Sequence, residues 1–451
     1  MKREFAGRPQ GPHSAGAPWR SGVWLAAGVL AALAGPAIAA EPDWSKIAGK
    51  EVTLFFPGQS TYQWLRSPEH KRAQREVMKG QSCVSCHEGE EGDLGKKIVS
   101  GERLEPHPVP GKQATVMLSV QAAHDAENLY MRYQWKTKNA FAGTAHPQVR
   151  FDGKEWKPYG WQQLDANVWE KKQPAIYEDR LSLLIDNGGV PNFENQGCWL
   201  TCHDGSRDTQ KEAKADAVRA HPILGQALKK SDVRKYLPSS RTDEQASWDK
   251  VKSVEELAKI KAANGFLDLW QWRAHRSNPV GMGDDGYVLE WRNSDAGKSM
   301  FQSNVGEKHQ PKYMFDEKKV GFKARTAQDL RDPAKPPALI VEENGVPFDP
   351  AAGWKEGDLL PEYYLSRKEA SGSVADNADV KGTWKDGVWT VVWTRKLNTG
   401  QPDDKVLKVG SKVTVGFAVH DDNITTRGHH VSFPLSLGIG TDGDIKAVTL
   451  K

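Results

Sequence analysis

Cys83-Val84-Ser85-Cys86-His87 sets two thiols three positions apart with an imidazole directly after the second. A later stretch, Asn195-Gln196-Gly197-Cys198-Trp199-Leu200-Thr201-Cys202-His203, repeats this with one more residue between the thiols. These four cysteines are all that the chain has. Thiols at the first spacing add across the two vinyl groups of a haem, and the histidine that follows binds the iron. In the second stretch the extra residue can loop out while the thiols still reach the same two vinyl groups. Such pairs also serve other chemistry: the first as a thioredoxin-like redox pair, or both together as a zinc site. Two pairs, each followed by histidine, with no stray cysteine, point to two covalently attached haem c groups, with His87 and His203 as proximal iron ligands.

Each iron then needs a distal ligand or an open position. For the first, Ser67-Pro68 reads as a helix start and Gly80 as a stop, which predicts a helix from about Pro68 to Lys79. On it His70, Ala73 and Val77 share a face, which makes His70 the preferred ligand. His107, stiffened between Pro106 and Pro108, is the second candidate. Met78 or Met117 would raise the potential instead, and His146 or His275 could bridge two halves of the chain. For the second iron, His429 lies on the predicted inward face of a strand over 429–437, and His430 replaces it if that strand is rotated by one residue. His420 ranks third, because its strand phase sets it opposite the apolar face.

The elements that must position these residues follow from pattern. Basic residues within 1–20, an apolar run over 23–34 and a small-residue end at Ala37-Ile38-Ala39-Ala40 make residues 1–40 a secretory signal peptide. The expected mature chain, about 410 residues long, has no later membrane span and belongs in the periplasm, where covalent haem attachment takes place. Removing a leader of net +3 from a chain of net +4 leaves about +1, which gives no argument for nucleic acid. Residues 41–112 read as a mostly helical and loop segment that carries the first Cys/Cys/His stretch; Glu88 to Asp93 within it form an acidic loop. Residues 113–451 read as a β-sandwich, so the fold class is mainly β. Expected strands are Ala114–Ala122, Asn128–Trp135, Arg180–Ile185, Phe266–Arg273, Tyr287–Arg292, Val388–Trp393, Lys412–His420 and His429–Leu437. Residues 205–265 are polar and Lys-rich and read as a helical insertion, with a capping box at Ser253 and Glu256 and a stop at Gly265. The seventeen tryptophans read as strand-core and pocket residues.

Residues 113–440 resemble the haem-binding domain of the ethylbenzene dehydrogenase γ-subunit and its relatives. The matching stretches are Asp125-Ala126-Glu127-Asn128-Leu129-Tyr130, Asp268-Leu269-Trp270-Gln271-Trp272-Arg273, Gly283-Asp284-Asp285-Gly286-Tyr287 and His429-His430-Val431-Ser432. The resemblance implies a β-sandwich holding one haem b between a methionine and a lysine, and transfer of electrons from a molybdenum enzyme. This chain departs from it at the haem: the Cys198, Cys202 and His203 stretch stands near the place of the methionine, and His429-His430 near that of the lysine. The departure implies a haem c in place of the haem b, and a dihaem version of the fold.

Two six-coordinate haems predict a one-electron relay, linking a membrane quinol-oxidising cytochrome or other donor to a periplasmic oxidoreductase. The alternatives are a dihaem enzyme that reduces peroxide or a nitrogen oxide at one open iron, and a haem-based sensor. No Ser-His-Asp set, phosphate loop or carboxylate pair points to other catalysis.

Overall fold

The computed structural model describes residues 41–450 apart from 60, 102–107, 164, 208, 210, 333, 337, 422, 423 and 425–427. The expected leader and His107 lie outside the described residues. From Pro42 onward the chain forms one unit, built on a sheet of thirteen strands among the described residues. One half of the sheet runs through Asp379–Lys385, Val388–Lys396, Asn128–Lys136, Thr115–His124 and Lys50–Phe55. The path continues through His430–Val431, Lys412–His420, Arg180–Asp186, Leu267–Arg273, Asp284–Val288 and Arg292–Ser294. Leu435–Ile439 and Ile445–Thr449 make a second link between Lys412–His420 and Thr115–His124.

The halves fold face to face, so the expected sandwich is one continuous sheet folded over, with Asp379–Lys385 and Arg292–Ser294 as the ends of the path. Strand alternation explains how: Trp389 lies opposite Trp135, Val391 opposite Tyr133 and Trp393 opposite Met131, all buried on one face. From the other half come Trp270 and Trp272. Trp270 stacks on Trp393 at 5.5 Å, and Trp272 meets Trp135 edge-on at 5.8 Å. Each such ring removes roughly 150–250 Å² from water, about 4–6 kcal/mol before the cost of ordering it. Gly283 and Gly382 make the fit possible. A Cβ on Gly283 would lie 2.4 Å from the Trp393 ring, and one on Gly382 would lie 2.3 Å from Trp272.

Three strands are buried on both faces. Lys412–His420 turns Val413, Val415, Phe417 and Val419 into the tryptophan core, while Gly416, Ala418 and His420 face a separate cavity. Arg180–Asp186 likewise sends Leu181, Leu183 and Ile185 inward, with Arg180, Ser182 and Leu184 on the cavity. On Leu267–Arg273, Trp270 and Trp272 face the core and Leu267 and Leu269 the opposite cluster, as their spacing requires. Part of the insertion after residue 205 covers that outer face.

Several expectations are corrected. The helix over 68–79 is two pieces, Pro68–His70 and Ala73–Met78, broken at Lys71 with φ 52°; Ser67 still caps the first. The 41–112 segment also supplies the Lys50–Phe55 strand. The acidic run does not stay a loop. Glu91 and Asp93 occupy the first turn of a helix over Glu91–Val99, where negative charge complements the helix dipole. Tyr287–Arg292 is not one strand: Tyr287 and Val288 end Asp284–Val288, residues 289–291 turn, and Arg292 begins Arg292–Ser294. The last long strand is interrupted at 432–434, where Pro434 offers no N–H to the ladder. The 205–265 insertion holds only short helices, and its capped helix Val254–Ala262 is followed by Asn264, rather than Gly265, in the left-handed conformation.

Trp393 is fully buried and also donates its indole N–H to Asn377. Trp393→Ala is expected to cost about 3–5 kcal/mol in urea unfolding followed by far-ultraviolet circular dichroism. A loss below about 1 kcal/mol would mean that the two halves are not held by this packing.

Candidate functional site

The first cavity lies where the N-terminal segment meets the sheet. His70, Ala73 and Val77 line one side, Cys83, Cys86 and His87 another, and Phe55, Trp199 and Phe433 the sheet side. Trp199 stacks on Phe55 at 5.1 Å. The ring centroids of His70 and His87 lie 6.3 Å apart, with the ring planes 13° from parallel. Two imidazoles bound to one metal from opposite sides, each nitrogen about 2 Å from it, place their centroids about 6 Å apart. The Nδ1 of His87 meets Glu90 at 2.9 Å, and that of His70 meets the Leu65 carbonyl at 3.1 Å. Both contacts favour the tautomer in which Nε2 carries the lone pair that a metal takes. The donor set, spacing and apolar walls fit a haem held by Cys83 and Cys86 between His87 and His70.

The thiols do not suit the competing chemistries. Burial, with Cys202 close by, pushes the Cys83 thiol up to about 12, and burial pushes Cys198 up to about 11. A redox-active pair needs a thiol shifted the other way. Among the described residues, the thiols and their histidines form no group of three or more converging ligand atoms, as zinc would require.

The two cysteine stretches are tied together by backbone. Cys83 donates its N–H to the Asn195 carbonyl at 3.1 Å, and Gln196 donates its side-chain amide to Val77 at 2.7 Å. Arg66, nearly fully buried, donates to the Leu200 carbonyl at 2.9 Å.

The second cavity lies on the outer face of the doubly buried strands. Cys198, His420 and His429 line it together with the cations Arg180, Arg207, Arg234, Lys235 and Arg292. Burial and the neighbouring guanidiniums push Arg292 down to about 9 and Arg180 to about 10. This is a strongly electropositive chamber suited to carboxylate groups. His420 and His429 stack at 5.1 Å, too close to flank one metal from opposite sides as they stand. Burial, then the Arg180 charge, holds His420 well below its ordinary range and so neutral.

The remaining residues of the second stretch are placed elsewhere. Cys202 packs with Phe55, Trp199 and Phe433, on the side of the first cavity. His203 is buried against Tyr236 at 3.5 Å, with Nδ1 on the Asp204 carbonyl and Nε2 on the Arg234 carbonyl. For a haem at the second cavity this donor set is therefore only partly assembled. His430 lines neither cavity: its Nε2 meets the Gln113 carbonyl at 2.9 Å, because adjacent strand residues point to opposite faces. His420, ranked behind it in the sequence, shares the cavity with His429. The face opposite the core was taken as the lesser one, whereas it is enclosed. Glu90 and the five cations were not singled out by sequence reasoning. Glu90 had a signal, its i,i+3 spacing from His87. The cations come from four distant segments and had none.

His146 and His275 are buried away from the first cavity, stacked at 5.9 Å beside Glu178 and Arg276. Burial pushes His275 down to about 4. An unfolded histidine takes its proton near pH 6.5, which the native His275 refuses until about pH 4. The stability it contributes is therefore complete above pH 6.5 and lost as pH falls toward 4, about 3 kcal/mol in all. His275→Gln should flatten that acid limb when urea midpoints are followed against pH. Parallel curves for the two proteins would refute it.

Comparison with known proteins agrees with this architecture. Residues 41–432 match the ethylbenzene dehydrogenase family. Cytochrome c-552 of Stutzerimonas stutzeri is 28% identical over 415 residues, 92% of each chain. Cytochrome c-551 of Rhodocyclus tenuis is 29% identical over 167 residues, 37% of this chain and 57% of that protein. The match to the family spans both Cys/Cys/His stretches and all of the sheet but its last two strands, and the chain belongs to the ethylbenzene dehydrogenase family.

Proposed function

We propose that the protein is an exported c-type cytochrome that carries single electrons between a respiratory donor and a periplasmic or membrane oxidoreductase. The observation that carries this reading is the opposed pair His70 and His87, 6.3 Å apart and nearly parallel, beside the thiols of Cys83 and Cys86. A haem bound there supplies a one-electron couple. Cys83 and Cys86 anchor it, Glu90 orients His87, and Trp199, Phe55 and Phe433 exclude water from its inner side. Cys86 is exposed, so the edge it holds is within reach of a partner. Glu88, Glu90 and Asp93 are exposed nearby in the chain and favour a partner with a basic face. The cytochrome names of the two relatives agree with this reading.

A second haem on Cys198 and Cys202 completes the proposal. Its support is the repeated Cys/Cys/His stretch and the cations in the second cavity that would meet haem propionates. The consecutive residues Cys198 and Trp199 line different cavities, so little more than one residue separates the two. Ligation by His203 requires its contact with the Arg234 carbonyl to be exchanged. No helix among the described residues is long and apolar enough to cross a membrane; the periplasmic location rests on residues 1–40 and on the chemistry of attachment.

The cationic lining also favours a second reading, in which the second haem is open and takes a small anion such as nitrite. Haem content and carbon monoxide binding separate these. Two covalent haems per chain are expected in the alkaline pyridine spectrum, falling to one in the Cys198→Ser, Cys202→Ser double variant. The dithionite-reduced spectrum should not change with carbon monoxide, whereas His70→Ala should open the first iron and produce a shift. A shift in the unaltered protein that His70→Ala does not enlarge would turn the assignment toward the open-haem enzyme. A single haem in the unaltered protein would remove the relay.

A further inference from the structure

Beside the tryptophan core, where Arg395 lies over the Trp270 ring at 4.5 Å, five buried aspartates meet. Asp268, Asp285 and Asp295 come from the strands and turns over 267–295, and Asp403 and Asp404 from the loop after Val388–Lys396. Arg395 balances part of this charge. It pairs with Asp404 at 2.6 Å and Asp285 at 2.7 Å, and stands 3.9 Å from Asp268. Lys405 is engaged elsewhere, with Asp186 at 3.0 Å.

The charge left over is concentrated on Asp295, Asp403 and Asp404, whose carboxylate oxygens lie within 4.8 Å of one another. Asp403 accepts from Ser373 at 2.6 Å and from the Ala296 N–H at 2.8 Å. Thr399 and Arg395 serve one oxygen of Asp404. Asp295 is different: it is 6% exposed, and neither of its oxygens has a hydrogen-bond partner. The second oxygen of Asp404 is unpartnered as well. Three such acceptors left buried and unmet are destabilising in an ordinary interior. The walls around them are rigid. A Cβ on Gly297 would meet the Ser371 carbonyl at 2.1 Å, and one on Gly372 the Ala296 carbonyl at 1.9 Å, so the two loops beside the cluster are pressed together.

We infer that Asp295, Asp403 and Asp404 bind a structural Ca²⁺ ion. The donors are all oxygen, with no sulfur or imidazole in the group, which selects a hard cation. Oxygens within 4.8 Å of one another match ligands at about 2.3–2.6 Å from a common centre. An irregular set drawn from two loops suits the tolerant coordination of Ca²⁺ better than the strict octahedron of Mg²⁺. The ion would join the 267–295 end of the sheet to the loop after Val388–Lys396, across the two halves of the sandwich.

The test uses the full mature protein with its haems. After dialysis against micromolar Ca²⁺ and removal of free metal, elemental analysis should find one calcium per chain, and Asp295→Ala should retain none. Unfolding by far-ultraviolet circular dichroism should show Tm rising, on the order of 5 °C, when millimolar Ca²⁺ follows chelation, with no rise in Asp295→Ala. If Asp295→Ala fails to fold, Asp403→Asn, which keeps the volume and removes one charge, should weaken calcium retention by at least tenfold. The inference is overturned if the unaltered protein holds no calcium and its Tm ignores both chelator and Ca²⁺. In that case the cluster is held neutral by protons, which the rise of Asp295 to about 9 under burial and neighbouring carboxylates would accommodate.

Discussion

Burial of both faces of Arg180–Asp186, Leu267–Arg273 and Lys412–His420 is the constraint from which the rest of the molecule follows. A sheet with one wet face needs only an alternating pattern, but these strands have no wet face. Their inner side is filled with tryptophan and aliphatic side chains. Their outer side must be covered by something else, and the segment from Cys198 through Lys235 provides the cover. That cover carries the second Cys/Cys/His stretch. The N-terminal segment is held in turn by its bonds to Asn195, Gln196 and Leu200. The first cavity therefore exists because the second is roofed.

Charge is distributed along these strands in an ordered way. Arg180 pairs in register with Arg273, and His420 with Arg180, so one end is basic. At the other end Ile185 pairs with Asp268 and Thr414 with Asp186, where the acidic groups gather. The tryptophan core lies between, with Arg395 and Lys405 as the cations committed to the acidic end. Two buried regions of opposite sign are kept apart by packing that tolerates neither water nor counter-ions.

How much of this was legible in the sequence depended on whether the signal was local. Strands with clean alternation, such as Lys412–His420 and Leu267–Arg273, fall where their pattern puts them, and Trp270 and Trp272 face the side expected. The face shared by His70, Ala73 and Val77 survives although the helix is broken at Lys71, because the break leaves all three on one side of the chain. What could not be read was long-range. Whether His420 looks into solvent or into a chamber depends on residues as far back as Arg180 and Cys198. The orientation of His203 depends on Tyr236 and the Arg234 carbonyl. The aspartates had no common spacing, since they come from four separate segments.

The placement of Cys198 and Trp199 on opposite sides of one thin partition has a wider consequence. A turn of the peptide between them moves the wall of one cavity and the anchor of the other in the same motion. The two chambers cannot be altered independently through this stretch, and an insertion or deletion between Asn195 and His203 would be felt in both. Over evolutionary time the partition should behave as a single heritable unit, exchanged whole or not at all.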